Sequence, residues 1–371
     1  MTVRIINGDC RSEMASLAAS GVRVHAVVTD PPYHLTTGKK GGTGAASLNP
    51  NSPAGRSRIG TGFMGKVWDG GDIAFQPDTW RAAFDLMLPG AHLVAFGGTR
   101  QWHRMACAIE DAGFEIRDNL AWVYGSGFPK SMDVGKALPE WAGWGTALKP
   151  AFEPIVLARK PLAGTVAGNV LAHGCGGLNI DACRIAAPDG VPIFQGRDDP
   201  TLNTFGNGLN GSNRTGEVGS GRWPANLIHD GSEEVEAAFA AFGEKTSGSK
   251  RGGQYGRDKG VHDGGQRQDG VSCFADSGSA SRFFYTAKAD AADRAGSKHP
   301  TVKPTNLMRW LVQLITPPGG TVLDPFAGSG STGLAADQLG FNAILIEQDA
   351  TFVDDIRRKI NADAGMFAGL L

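Results

Sequence analysis

The run Val24-His25-Ala26-Val27-Val28-Thr29 is short, apolar and rich in β-branched residues, and it stops at Asp30-Pro31-Pro32-Tyr33. Such a run reads as a buried strand. The two prolines make its end a rigid turn, because each fixes φ and removes a backbone donor. Carbonyls in that turn are left free to accept. One carboxylate, free carbonyls and one aromatic ring are therefore expected together at the carboxyl end of a strand, where open α/β sheets place their ligands. An acceptor-rich pocket with a stacking face suits a flat molecule bearing an amino group, such as a nucleobase turned out of its helix. Taken alone, the four residues also fit an ordinary strand-to-loop turn around a core tyrosine.

The rest of the chain extends the first strand into a sheet. Val3 to Ile6 reads as a strand, and Asn7-Gly8-Asp9-Cys10 turns it into a short helix near Arg11 to Ala19. Pro77 and Asp78 open a helix to Leu88, as proline and an acid do in a first turn. His92 to Phe96 is a strand, Arg100 to Ala112 a helix stopped by Gly113, and Phe114 to Tyr124 and Pro154 to Ala158 contain further strands. The alternation predicts a doubly wound, mostly parallel α/β sheet. Residues 161–280 are crowded with Gly, Asn, Asp and Ser. They read as an irregular inserted region, with apolar islands at Leu178 to Ile180 and Trp223 to Ile228. The sheet resumes near Arg282 to Lys288. His299-Pro300-Thr301-Val302-Lys303-Pro304 then opens a helix through Ile315. Residues 1–160 and 281–371 are thus expected as two halves of one domain around the insertion, in a chain of 371 residues that is 41% hydrophobic.

No apolar run approaches the ~20 residues needed to span a membrane, and the amino terminus lacks a basic-then-apolar signal, so a cytoplasmic protein is expected. Five cysteines without a CxxC pair agree with a reducing compartment. His173, Cys175 and Cys183 fit no standard zinc spacing, so no metal is expected. Net charge is −1, but charge is uneven. Residues 36–66 carry Lys39, Lys40, Arg56, Arg58 and Lys66 with no acid, and 245–303 carry eleven Lys or Arg against six Asp. Basic, Gly-rich segments can follow a phosphate backbone; a solvated surface loop is the plainer alternative. Position favours function for 36–66, which emerge from the Asp-Pro-Pro-Tyr turn and read as a mobile loop.

Nearly 300 residues later comes a second strand-to-turn junction, Thr321-Val322-Leu323-Asp324-Pro325-Phe326-Ala327-Gly328-Ser329-Gly330-Ser331-Thr332-Gly333. Glycines let a backbone approach a ligand closely, and a helix amino terminus offers free N–H groups. Together the two motifs resemble those of the amino-methylating DNA methyltransferases. Their order, Asp-Pro-Pro-Tyr first and Gly-rich loop last, resembles the circularly permuted β class. The segments around Trp122 to Lys130 and Leu148 to Lys160 also look like prophage-borne adenine methylases.

That resemblance implies a seven-stranded Rossmann-like methyltransferase sheet, S-adenosyl-L-methionine as cofactor, double-stranded DNA as partner, and target recognition by residues 161–280. A homodimer is one assembly open to it, and a role in restriction-modification is a common setting. It implies that Asp30 and the Pro31 carbonyl accept the N–H groups of a target amine, with Pro32 stiffening the turn and Tyr33 stacking on the flipped ring. It further implies that Phe326, Ala327, Gly328, Ser329 and Gly330 wrap the methionine end of the donor, that Asp324 meets its ammonium, and that Glu347 binds its ribose. Asp9 would contact its adenine, and Thr301 and Lys303 would lie near its carboxylate. Asp rather than Ser at position 30 leans toward adenine N6 over cytosine N4. Cytosine-C5 chemistry is disfavoured because no Pro-Cys dipeptide occurs. An RNA amino-methyltransferase and a non-catalytic nucleic-acid binder remain as alternatives. A dehydrogenase is disfavoured by the absent GxGxxG spacing.

Overall fold

Strand β2 (Val24–Thr29) lies in the interior of the sheet, as its apolar run requires, and Ala26, Val27 and Val28 are fully buried. The computed structural model describes residues 2–33, 71–129, 131–187, 191–196, 212–219, 221–247, 276–287, 293 and 302–367. The basic segment 36–66 and Thr301 lie outside these described residues.

Beside β2 runs β12 (Thr321–Asp324), parallel, and then β13 (Asn342–Glu347) and β1 (Val3–Asn7), also parallel. On the other side comes β3 (Met87–Phe96), parallel to β2. Then β5 (Phe152–Arg159) runs antiparallel between β3 and β4 (Glu115–Val123), and β8 (Leu227–His229) is parallel to β4. The edge is completed by β11 (Tyr285–Thr286), giving nine strands in the order β1-β13-β12-β2-β3-β5-β4-β8-β11. The mostly parallel α/β expectation is met, but seven strands are corrected to nine: Leu227–His229 leaves the inserted region to pair beside β4, and a two-residue strand follows it. The first strand adjoins the carboxy-terminal strand β13, with Val3 opposite Ala343 and Asn7 opposite Glu347.

Helices line both faces. α1 (Cys10–Ala19), α2 (Pro77–Leu86) and α3 (Trp102–Asp111) bury Met14, Trp80, Ala83, Met105 and Ile109 against one face. The spacing Thr79, Trp80, Ala83, Leu86 is the apolar stripe of a helix. Trp80 is fully buried and its indole N–H donates to the Ala74 carbonyl at 2.8 Å, so a large ring enters the core without an unmet donor. Each fully buried aliphatic side chain in such a core contributes ~1.5–3 kcal/mol. α2 ends at Leu86 rather than Leu88, because β3 begins at Met87 and takes in Pro89 and Gly90. α4 (Val166–His173) starts on the Thr165 hydroxyl and ends on Gly174 at φ 70°. The other face carries α6 (Thr305–Ile315), α7 (Ser331–Gln338) and α8 (Ala350–Phe367). The island near Leu178 is tied there by Asn179 N–H to the Leu314 carbonyl at 2.8 Å.

The chain divides into two compact units. The first comprises residues 1–182, 226–232 and 286–371, and holds the strands β1 to β5, β8, β12 and β13. The second comprises 183–225 and 233–285. It contains two small antiparallel pairs, β6 (Val191–Gly196) with β7 (Ser212–Gly219) and β9 (Lys245–Ser247) with β10 (Asp276–Gly278), together with helix α5 (Glu233–Ala240). Residues 203–221 read as a loose stretch in sequence, yet part of them pairs as β7. Among the described residues no helix is long and apolar enough to cross a membrane.

Candidate active site

The carboxyl ends of β2, β12 and β13 lie side by side, and acids stand at all three: Asp30 just past β2, Asp324 closing β12 and Glu347 closing β13. Because β5 runs antiparallel to β3, it presents its amino end at this same edge. Phe96, the last residue of β3, pairs with Ile155, so Glu153 lies beyond the end of β3.

Asp30, Tyr33, Glu153 and Lys303 form one cluster there. The Tyr33 hydroxyl lies 2.6 Å from Asp30 Oδ1 and 2.9 Å from Glu153 Oε2, so its one proton serves two carboxylates. Lys303 Nζ lies 2.9 Å from Asp30 Oδ2, 2.8 Å from Glu153 Oε2 and 3.1 Å from the Tyr33 oxygen. It also sits over the rings of Phe96 and Tyr33, 4.8 and 5.4 Å from their centroids. Burial pulls the Lys303 pKa down, but Asp30 and Glu153 outweigh it and hold the ammonium above its ordinary value. Burial raises the Tyr33 pKa well above the usual phenol, and the two acids raise it further. The cluster therefore holds two carboxylates, one ammonium and a neutral phenol. Gly98 permits the approach of Tyr33, since a Cβ there would sit 3.3 Å from its ring. Pro31 is buried and Pro32 partly so.

The Gly-rich junction is held differently. Asp324 is 2% exposed, and it accepts from the Thr29 hydroxyl at 2.6 Å, the Thr332 hydroxyl at 2.6 Å and the Phe326 N–H at 3.1 Å. Burial pushes its carboxyl up to about 6 against these three hydrogen bonds. It straps β2, β12 and α7 together. An enclosed carboxylate held by three internal donors shapes the loop.

Gly328 and Gly330 adopt φ 50° and 75°, the left-handed region that favours glycine. A Cβ on Gly330 would lie 2.9 Å from Ile356. Glu347 receives the Gly328 N–H on Oε2 and the Asp349 N–H on Oε1, each at 2.8 Å; burial raises its pKa. Ala327 and Ser329 are buried, and Phe326 is partly buried against the core. Asp9 caps α1, accepting from the Ser12 N–H at 3.0 Å, and that bond is the leading cause of its lowered pKa.

The structure thus groups Asp324, Phe326 to Gly330 and Glu347 at one junction and sets Asp9 past the end of the neighbouring strand. It brings Lys303 onto Asp30, at the end of the strand next to that junction. Lys39, Lys40, Arg56, Arg58, Lys66 and Thr301 lie outside the described residues. Two residues escaped the sequence reading. Glu153 was legible only as an acid before Pro154 at the start of an apolar run. Lys359, on α8, is buried with its Nζ 2.9 Å from the Asp293 carbonyl and 3.3 Å from the Ser331 hydroxyl, and burial lowers its pKa.

The family described as DNA methylase, of the N6/N4 methyltransferases, matches residues 24–358. Type II methyltransferase M.HindIII of Haemophilus influenzae is 23% identical over 93% of this chain and 91% of its own length. Type II methyltransferase M2.DpnII of Streptococcus pneumoniae is 35% identical over a shorter stretch, 19% of this chain and 26% of its own. Among solved structures, the M1.HpyAVI–SAM complex is 16% identical with a TM-score of 0.45, covering 97% of this chain and 100% of that one. The cytosine-N4-specific PvuII DNA methyltransferase is 13% identical with a TM-score of 0.45, covering 97% and 86%.

Proposed function

This chain belongs to the N6/N4 DNA methylase family, and from that premise we propose that it transfers a methyl group from S-adenosylmethionine to the N6 amine of adenine in double-stranded DNA. The observation that carries the reading is the clustered Asp30. Its carboxylate stands at the end of β2 with both oxygens fixed by Tyr33 and Lys303, beside the Gly-rich junction on the next strand.

The donor fits that junction in its chemistry. Two left-handed glycines leave the backbone bare, and Glu347 offers a carboxylate suited to a pair of ribose hydroxyls. When bound, the donor supplies a sulfonium methyl, whose S–CH3 bond breaks as N–CH3 forms while the amine surrenders a proton to water. The rest is done by this chain's residues. An exocyclic amine is a poor nucleophile because its lone pair is delocalised into the ring. Asp30 accepts one of its N–H groups, and the Pro31 carbonyl takes the other, drawing the nitrogen toward a tetrahedral shape. The cost of orienting Asp30 is met before the base arrives, because Lys303 and Tyr33 already fix it. Phe326 to Gly330 and Glu347 hold the donor, Asp324 shapes their loop, and Asp9 lies beside the adenine end.

In this reading the second compact unit and its flanks carry target recognition, the basic segment 36–66 follows the DNA backbone, and β1 beside β13 reflects circular permutation. Replacing Lys39, Lys40, Arg56 and Arg58 with Ala lowers the salt slope of DNA binding by ~1 per lost contact. Asp at position 30 favours adenine. Cytosine N4 presents the same two N–H groups and is the second reading.

The deciding experiment is labelled methyl transfer into unmethylated genomic DNA followed by nucleoside analysis. N6-methyladenine is the expected product. N4-methylcytosine shifts the assignment to the second reading, and absence of transfer overturns both.

A further inference from the structure

The antiparallel strands β4 and β5 are joined by residues 124–151. Such neighbours need only ~2–5 residues to turn, and a connection so much longer is expected to carry a function of its own. It lies outside the region 161–280 assigned to target recognition.

The connection is ordered without a core. Its two single helical turns, Val134–Lys136 and Pro139–Trp141, bury no residue. Small polar groups hold it instead. The Thr146 N–H donates to the Ser131 hydroxyl and the Met132 N–H to the Thr146 hydroxyl, each at 2.9 Å, and the Val134 N–H donates to the Trp144 carbonyl at 3.0 Å. The neck is fixed as well. The Tyr124 N–H donates to the Ala151 carbonyl at 2.9 Å, and the Gly125 N–H to Asp230 and Ser232, each at 3.1 Å. A Cβ on Gly127 would collide with the Pro150 carbonyl, so the two sides of the neck touch.

The large apolar side chains are therefore left outside. Phe128 is 82% exposed, Leu148 92% and Trp144 61%, and Met132, Leu138 and Trp141 are exposed too. The rings of Trp141 and Trp144 meet edge to face, with centroids 4.9 Å apart. Phe128 follows Gly127 and Leu148 precedes Pro150 by two residues, so both leave the connection at its neck. Large apolar groups gathered on the outside of an ordered element mark an interaction site.

Two observations point to the occupant. The first is position. β3 is parallel to β2, and β5 is antiparallel to both β3 and β4, so the carboxyl end of β4 opens at the edge that carries Asp30. β4 stands three strands from β2. That is ~14 Å at ~4.8 Å per strand, or about four base steps at ~3.4 Å each. A duplex laid along this edge with a base at Asp30 reaches the connection about four steps away. The second is composition. Lys130, Lys136 and Lys149 accompany the apolar groups, and of the two acids, Asp133 and Glu140, the first is engaged by the Gly135 N–H at 3.1 Å. Apolar wedges and rings among lysines suit stacked bases between phosphates.

Resting on the methyltransferase reading, we propose that residues 124–151 form a DNA-contacting wedge, in which Phe128 and Leu148 press into the base stack that flanks the target base. This grip is apolar and releases no counterions, unlike a grip through the basic segment 36–66.

The test uses the full-length protein carrying Phe128→Ala with Leu148→Ala, and separately Phe128→Trp, each checked by thermal melting. Both side chains are exposed, so the fold is retained; Leu148→Ala alone serves if the double variant melts early. Binding to unmethylated duplex DNA amplified from a bacterial genome is measured without donor over a range of salt. The double variant is expected to bind about tenfold more weakly, the worth of one stacked base, at every salt concentration and with an unchanged salt slope. Phe128→Trp keeps wild-type affinity, and S-adenosylmethionine affinity is the same in all three proteins. Unchanged DNA affinity overturns the inference, and so does a weakening that disappears at high salt. Sedimentation velocity supplies the other arm: a dimeric wild type with a monomeric double variant gives the surface to a second copy of the chain and overturns the inference. Because binding is read without methyl transfer, the two readings fail separately. A wild type that methylates DNA beside a double variant that binds DNA equally well sinks the wedge alone. A wild type that transfers no methyl group, beside a double variant with weakened DNA binding, sinks the methyltransferase reading and leaves the wedge standing.

Discussion

At the end of β2, Asp30 is held by an ammonium and a phenol. At the end of the adjacent β12, Asp324 is held by two hydroxyls and a backbone N–H. Both acids close parallel strands of one sheet, yet the first sits in a charged cluster that joins Asp30 to Lys303, 273 residues later, and the second in hydrogen bonds supplied largely by its own junction. The difference is one of wiring. A charged cluster fixes a carboxylate while leaving lone pairs for a further donor. An enclosed carboxylate with three internal donors is tied into the scaffold. On the proposed reading, the same type of residue at equivalent strand ends is a working group in one place and a strap in the other.

The largest effect that separates the two sites is in catalysis. Asp30→Ala is expected to lower methyl transfer by at least about a hundredfold, the cost of removing a group aimed at the reacting atom, with S-adenosylmethionine affinity measured by calorimetry unchanged. Wild-type turnover in that variant would erase the distinction between the two acids.

The next effect is in stability. Lys303→Met leaves Asp30 and Glu153 facing each other without their cation, and breaking a buried pair in this way costs about 3–5 kcal/mol. Lys359→Met, on the loop side, removes an ammonium that touches a carbonyl and a hydroxyl, and costs about 1–3 kcal/mol. Denaturant melts of the two variants compare the charged and the neutral wiring directly; equal losses would mean that the acids add nothing.

Gly328→Val puts a β-branched residue at φ 50°, at a cost of roughly 1–2 kcal/mol in backbone strain. Donor affinity is expected to fall about tenfold or more, with DNA affinity measured without donor unchanged. An unaltered donor affinity would make the junction a structural turn only.

The smallest effect is a slope. Asp324 titrates at about 6 when folded, against 3.8 for the free side chain. The folded chain therefore takes up a proton between these values that the unfolded chain does not hold. This group favours folding below about pH 4 and loses that contribution as pH rises through about 6. Asp324→Asn removes it. The stability of the wild type relative to Asp324→Asn is expected to decline as pH rises from about 4 to 6, and a flat difference would place the proton elsewhere.

The contrast in wiring also explains what was legible in the sequence. The Gly-rich junction is local: strand, acid, glycines and helix start follow within thirteen residues, so Gly328, Gly330 and the helix at Ser331 could be read directly. Asp30 and Tyr33 were legible for the same reason. Their partners were not, because Glu153 reaches the site only when β5 reverses direction between β3 and β4, and no local pattern announces an antiparallel strand in a parallel run. The contacts of Lys303 with Asp30 and Glu153 were not legible either, because a proline-flanked lysine carries no sign of which strand end its ammonium meets. The nine-strand count was missed at Leu227–His229, whose three residues are too few to show a period.

The pairing of β1 with β13 carries a consequence for biosynthesis. The two strands are separated by more than 330 residues of sequence, yet β1 has no other neighbour in the sheet among the described residues. At the usual pace of translation, ~5–20 residues per second, roughly 20–70 seconds pass between the emergence of one strand and that of the other. During that interval Val3 to Asn7 waits outside the growing sheet, and α1, capped by Asp9, is tethered at one end only. Strand β13 is the one that brings β1 home, so the edge of the sheet that carries Asp9 is completed only after β13 is made.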